Sequence, residues 1–183
     1  AYILSFFDRQ ILSLLIEPIK RSFELSDTQV GLLLGPAFAV FYVTLGYPAG
    51  ILADRKSRKI LIAAGISVWC LMTALCGLAK DFKQLFAARV GVGVGEATLT
   101  PAALSLICDS FPHDRRARPI SVYMMGISLG SALAYLVGGQ LLEPMLAWPP
   151  LHVPVIGVLH SWQLAFVIVG LPGLLLAILV AGI

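Results

Sequence analysis

Apolar residues run along this chain in long stretches, cut by short clusters of charge. Six stretches result, Ala1 to Ile16, Gln29 to Ala53, Ile60 to Leu78, Leu85 to Cys108, Ile120 to Leu142 and Trp162 to Ile183. Each is near the roughly 20 residues that a helix needs to cross a hydrocarbon core. The pattern predicts an all-α membrane protein, a bundle of six transmembrane helices. The first stretch starts without a charged flank and the last ends still apolar, so the chain is expected to be a fragment of a longer one. Ala1 to Lys20 shows no short hydrophobic core with a small-residue cleavage site, and its length and internal charges predict a span that stays rather than a removable signal.

Composition agrees with a bilayer as the solvent: 58% of the 183 residues are hydrophobic and 13% are charged. A water-soluble core saturates well below that apolar fraction. The basic residues set an expected orientation. Arg55, Lys56, Arg58 and Lys59 follow the second stretch, and Arg115, Arg116 and Arg118 follow the fourth. The opposite links hold only Lys20, Arg21, Lys80 and Lys83. The positive-inside bias therefore places the first set, and with it the amino terminus, on the cytoplasmic side. The link "EPMLAWPPLHVPVIGVLHSW" carries Pro144, Pro149, Pro150 and Pro154, which block regular helix and predict an extended, apolar cap at the outer surface.

Candidate chemistry is sparse. Cys70, Cys76 and Cys108 have no metal-ligand spacing and read as buried thiols; the three histidines fall in links. No nucleotide loop, metal cluster or nucleophile-and-base pairing occurs, so neither an enzyme nor a cofactor is expected, and nothing suggests a nucleic-acid partner. The chain contains no Asn, which excludes N-glycosylation.

The charges inside the spans are the exception. Asp8 and Arg9 lie side by side in the first stretch, and Arg89 and Glu96 lie seven residues apart in the fourth, close to two helical turns and about 10 Å along the axis. Counted from the outer ends, all four fall in one slab of the membrane. Each ionised side chain at mid-bilayer costs about 2.5 to 3.5 kcal/mol on insertion scales, so the quartet would cost on the order of 10 kcal/mol if left unpaired. Two acids and two bases sum to zero, and pairing across the first and fourth spans offsets much of that penalty. A static salt-bridge network that only fixes helix packing is the plain alternative. Apolar contacts would do that at lower cost, and an acid beside a base in a low dielectric has a proton affinity that access of water can tune. Gly91, Gly93 and Gly95 lie between Arg89 and Glu96, and Gly126 and Gly130 lie in the fifth span; both sets predict close helix packing.

"GILADRKSRK", Gly50 to Lys59, ends the second span in dense charge. Four basic residues there suit a cytoplasmic anchor, but Asp54 and Gly50 need more. Gly50, Leu52, Ala53, Asp54, Arg55, Arg58 and Lys59 resemble the cytoplasmic signature of the major facilitator superfamily, with Ser57 where that pattern usually has Gly. The resemblance implies the amino-terminal six-helix half of that fold, with a second half missing from the chain as its partner. It also implies a cytoplasmic gate in which Asp54, Arg55 and Arg58 join an interhelical charge network, with Asp109 and Arg115 to Arg118 as facing partners. The Asp8-Arg9 pair, the Arg89 to Ala97 pattern and the gate signature together are similar to the spinster group of the superfamily. That implies a bacterial inner-membrane homologue that moves small amphipathic or lysolipid-like substrates among membrane lipids by proton-coupled alternating access. Asp8 and Glu96 would carry protons; Arg9 and Arg89 would pair with them or meet an anionic group. A carrier of small organic anions, a multidrug/proton antiporter, and a non-transporting receptor or scaffold are the rival readings. The fifth span has Ser131 after Gly130 instead of the antiporter Gly-Pro step.

Overall fold

The computed structural model describes residues 1–55, 57–142, 144, 148, 151–153 and 157–182. Among the described residues, nine α-helices build six spans. The first is the single helix α1 (Tyr2–Phe23). The second is broken at Gly35 into α2 (Asp27–Leu34) and α3 (Pro36–Arg55), and the third is α4 (Arg58–Cys76). The fourth is broken into α5 (Phe82–Glu96) and α6 (Leu99–Ser110). After a 3-10 turn at His113–Arg115, α7 (Ala117–Val137) runs into a π-turn, Gly138–Leu142. The sixth is α8 (Ser161–Gly170) followed by α9 (Pro172–Gly182).

Among the described residues, five stretches are long and apolar enough to cross a membrane: Asp27–Arg55, Arg58–Cys76, Phe82–Ser110, His113–Gln140 and Ser161–Gly182. Helix α1 stands apart because it carries Asp8, Arg9, Glu17, Lys20 and Arg21. It also runs past Ile16, where its apolar stretch ends. Charge marks where hydrocarbon stops, not where a helix does. Glu24, in the left-handed conformation at φ 50°, closes it, and its N–H bonds the Lys20 carbonyl.

Local chemistry explains the other starts and breaks. Ser26 and Gln29 form a reciprocal capping box on α2, with Gln29 N–H to Ser26 Oγ at 3.3 Å and Ser26 N–H to Gln29 Oε1 at 2.9 Å. Asp81 caps α5 by accepting from Gln84 N–H at 2.8 Å. The gap between α5 and α6 follows from Pro101, which has no N–H to offer the Ala97 carbonyl. Thr98 Oγ1 bonds back to the Gly95 carbonyl at 3.0 Å. Glu96 is therefore the last residue of a helix that ends inside the protein.

The proline-rich link holds a two-stranded antiparallel hairpin, β1 (Leu151–Val153) with β2 (Gly157–Leu159), in the register Leu151 to Leu159. That is extended backbone, as the prolines predict; residues 143, 145–147, 149–150 and 154–156 of the link, and Lys56, lie outside the described residues.

Helix α1 packs on α7 and α8, α4 on α5, α8 and α9, and α3 on α5 and α6. Two apolar clusters result. One gathers Ile11, Leu12, Leu15 and Ile19 with Leu85, Ala88, Trp162 and Phe166. The other gathers Ile66, Trp69, Cys70, Val92 and Leu99 with Phe38. Asp8 and Arg89 lie at the junction of the two.

Candidate functional site

Adjacent residues on a helix point about 100° apart, so Asp8 and Arg9 face different neighbours. Arg9 turns toward α3 and the end of α5. Its Nη2 lies 2.6 Å and its Nε 2.8 Å from Glu96 Oε2, which also accepts from Ser5 Oγ at 2.7 Å. Ser5 precedes Arg9 by one helical turn, on the same face. Glu96 is 1% exposed, and its second oxygen, Oε1, has no partner.

The guanidinium of Arg9 also sits among three rings, 4.4 Å from the centroid of Phe38 and 4.7 Å from those of Phe6 and Tyr42. Phe38 and Tyr42 are one turn apart on α3 and stack at 5.2 Å. The rings compensate part of the lost hydration of the cation. The half-buried side of this group continues into Tyr2, stacked on Tyr123 at 4.2 Å, and Tyr123 shares a 3.1 Å hydroxyl contact with Thr100. The face is aromatic, with one cation behind it.

Asp8 turns the other way, into the packed interior against α4 and α5. It is 0% exposed, and neither carboxylate oxygen has a hydrogen-bond partner. Arg89, 3% exposed, faces it without a direct ion pair, and its Nε and Nη1 are likewise unpartnered. The four charges come together as two unlike pairs: a close Arg9-Glu96 contact beside an aromatic face, and a loose, fully buried Asp8-Arg89 juxtaposition. The carboxylates of the two pairs face each other electrostatically.

At the end of the bundle that carries the GILADRKSRK segment, Arg58 on the first turn of α4 forms an ion pair with Asp109 at the end of α6. Asp54 and Arg55 are exposed at the end of α3, and among the described residues no ion pair joins Asp54 to another group. Arg115 lies 3.7 Å from its neighbour Asp114, both well exposed, and Arg118 is exposed on the first turn of α7. Lys59 is exposed. Arg116, read in the sequence as part of the basic cluster facing the gate, instead donates from Nη2 to the Cys108 carbonyl at 2.7 Å and from Nε to the Phe111 carbonyl at 3.0 Å, closing the end of α6. Gly50 approaches α6 only loosely: a Cβ there would meet Pro101 Cβ at an ordinary 3.9 Å.

Glycine does matter where α5 meets its neighbours. A Cβ on Gly95 would lie 2.5 Å from the Trp69 amide nitrogen and 2.8 Å from the Gly65 carbonyl oxygen, and one on Gly93 would lie 2.7 Å from the Phe38 carbonyl oxygen. At Gly91 the obstacle is the flexible side chain of Met72. In α7, Gly126 faces Tyr2, and Gly130 lies against the backbone of Ile3. Among the described residues, no three His, Cys, Asp or Glu side chains gather as a metal site.

The family model "Major Facilitator Superfamily" matches residues 1–183. The chain belongs to the major facilitator superfamily. It is the amino-terminal six-helix half of that fold, in an integral, multi-pass membrane protein. Among curated relatives, the "MFS-type efflux pump" of Mycolicibacterium smegmatis is 36% identical over 97% of this chain and 38% of its own length. Human "Protein spinster homolog 1" is 33% identical over 80% of this chain and 28% of its own length. A solved bacterial homologue of the human lysosomal transporter Spinster, in an inward-facing and occupied conformation, superposes with a TM-score of 0.87 at 39% identity. That superposition covers 98% of this chain and 41% of the other. The chain thus spans about two fifths or less of the length of these three relatives.

Proposed function

We propose that the chain is the amino-terminal bundle of a proton-coupled secondary transporter for amphipathic or lipid-like substrates. A second six-helix bundle would complete it, and the two would rock about the site between them. The observation that carries this reading is the junction of a buried, partly unsatisfied acid-base cluster with a half-exposed aromatic face. Glu96 holds one oxygen on Arg9 and leaves the other free, while Asp8 stays buried with neither oxygen engaged. Such carboxylates gain or lose a proton at little structural cost when water reaches them. The rings of Tyr2, Phe6, Tyr42 and Tyr123 suit an apolar chain, and Arg9 suits an anionic head group. The resemblance to the spinster group implies a lipid-like substrate, and the name of the efflux-pump relative suits an outward direction. The positive-inside bias supports a cytoplasmic amino terminus in a bacterial inner membrane, with Arg58 and Asp109 in the cytoplasmic gate.

A carrier of small organic anions is the second reading, favoured by the unpartnered N–H groups of Arg89. The test is gradient-driven uptake of a fluorescent lysophospholipid and of a small carboxylate by the full-length protein in liposomes. Wild type should take up the lysophospholipid, and Asp8→Asn and Glu96→Gln should each lose at least about tenfold, the equivalent of about 1.4 kcal/mol of coupling. Unchanged uptake in both variants would sink the proton assignment. Uptake of the carboxylate alone would favour the second reading.

A further inference from the structure

Helix α4 carries no charge between Ile60 and Cys76, yet it presents two buried donors to the loose half of the cluster. Trp69 and Thr73 are one turn apart on one face, 0% and 1% exposed. Trp69 Nε1 and Thr73 Oγ1 have no hydrogen-bond partner. Both face Asp8. The behaviour of Thr73 is the informative part. Hydroxyls in helices commonly bond back to the preceding turn, and Thr44, Ser67, Ser110 and Ser121 do so here, each to a carbonyl four residues earlier. Thr73 does not. The polar atoms left without partners in this region are three acceptors, the two Asp8 oxygens and Glu96 Oε1, and four donors, from Trp69, Thr73 and the Nε and Nη1 of Arg89. Buried polar groups are rarely left unpaired, and a small side-chain rotation or one bridging water would satisfy this set from within.

We propose that Trp69 and Thr73 are positioning residues that donate hydrogen bonds to the Asp8 carboxylate and thereby set the pH at which Asp8 takes up a proton. This rests on the reading of Asp8 as a proton carrier. The arrangement mirrors the other half of the cluster, where Ser5 Oγ donates to Glu96 at 2.7 Å. The remaining charged and titratable groups around Asp8 are Arg9 on its own helix, Arg89 and Glu96 on α5, and the thiols of Cys70 and Cys76 on α4. Helix α8, packed on α1, contributes none from Ser161 to Gly170. From α7, Tyr123 faces Tyr2 and Arg9.

The proton itself is the probe. Infrared difference spectra of the full-length protein in lipid, recorded across pH, report the carbonyl stretch of each carboxyl group as it protonates; the band lost in Asp8→Asn belongs to Asp8. Donors favour the charged form, so removing one favours protonation. The Asp8 midpoint should move to higher pH by about one unit in Thr73→Val and in Trp69→Phe, and return to the wild-type value in Thr73→Ser. An Asp8 band whose midpoint stays at the wild-type value in both Thr73→Val and Trp69→Phe overturns the role of α4 while leaving Asp8 as a proton site. If no band depends on Asp8, the underlying reading fails instead. Two variants on separate side chains keep the test decisive if one of them folds poorly.

Discussion

Replacing Arg9 by Met isolates the electrostatic part of the Arg9-Glu96 contact. Methionine keeps an unbranched, polarisable chain against the rings of Phe6, Phe38 and Tyr42 and removes only the cation. Glu96 then loses both of its 2.6 and 2.8 Å contacts and retains one hydrogen bond, from Ser5. Its side chain is fully buried, so an uncompensated carboxylate would remain in the interior. Breaking a buried pair from one side costs about 3 to 5 kcal/mol. The lower end applies, because Arg9 is 22% exposed and some water reaches the site. With each kcal/mol moving the midpoint of a unit of this size by about 2 to 4 °C, melting of the amino-terminal bundle should fall by about 6 to 12 °C. Adding Glu96→Gln removes the stranded charge, so the double variant should recover to within about 1 kcal/mol of wild type. Glu96→Gln alone should cost less than Arg9→Met, since Arg9 keeps its three rings and its partial exposure. Thermal unfolding of the full-length protein in detergent, followed by intrinsic fluorescence at fixed pH and salt, measures all three. If the double variant melts no higher than Arg9→Met, the loss comes from packing and the buried-charge account is wrong.

Four further outcomes follow from the geometry. Gly95→Ala should destabilise by about 1 to 3 kcal/mol, because its new carbon meets main chain on α4. Gly31→Ala meets nothing within 4 Å and should be neutral or stabilising by up to about 1 kcal/mol, read by the same melting assay. The Arg58-Asp109 pair is 27% and 57% exposed, so Asp109→Asn should change stability by under about 1 kcal/mol, an effect that added salt erases. Finally, Phe38→Leu should loosen Arg9 by about 0.5 to 1 kcal/mol beyond its packing loss, while Tyr42→Phe, which keeps the ring, should not; a double-mutant cycle with Arg9→Met separates the two contributions.

The bundle was legible in the sequence because lipid leaves a helix few choices: length and hydropathy located the spans, and the charge clusters located most of their ends. Helix α1 shows the limit, since Glu17, Lys20 and Arg21 end the apolar pattern at Ile16 but not the helix, which continues to Phe23. The break after Glu96 was written in Pro101, but a single proline near a glycine-rich run reads equally well as a kink. That four charges shared one depth could be counted. That they split into a tight pair and a loose one could not, because the split depends on which faces α3 and α4 present. Ser5 could have been found as a polar residue one turn before Arg9. Phe38, Tyr42, Trp69 and Thr73 could not: in a membrane sequence, rings and hydroxyls at helical spacing look like ordinary core, and only the fold shows what they face.

The seam between α4 and α5 has one more implication. Gly95 lets the main chain of α5 rest directly on the amide of Trp69, so the indole that faces Asp8 hangs from a point where backbone touches backbone. Side chains can change rotamer and absorb small displacements; two abutting main chains cannot. The seam therefore acts as a fixed datum: the missing methyl group of one glycine sets how near α5 lies to the point on α4 from which that indole hangs.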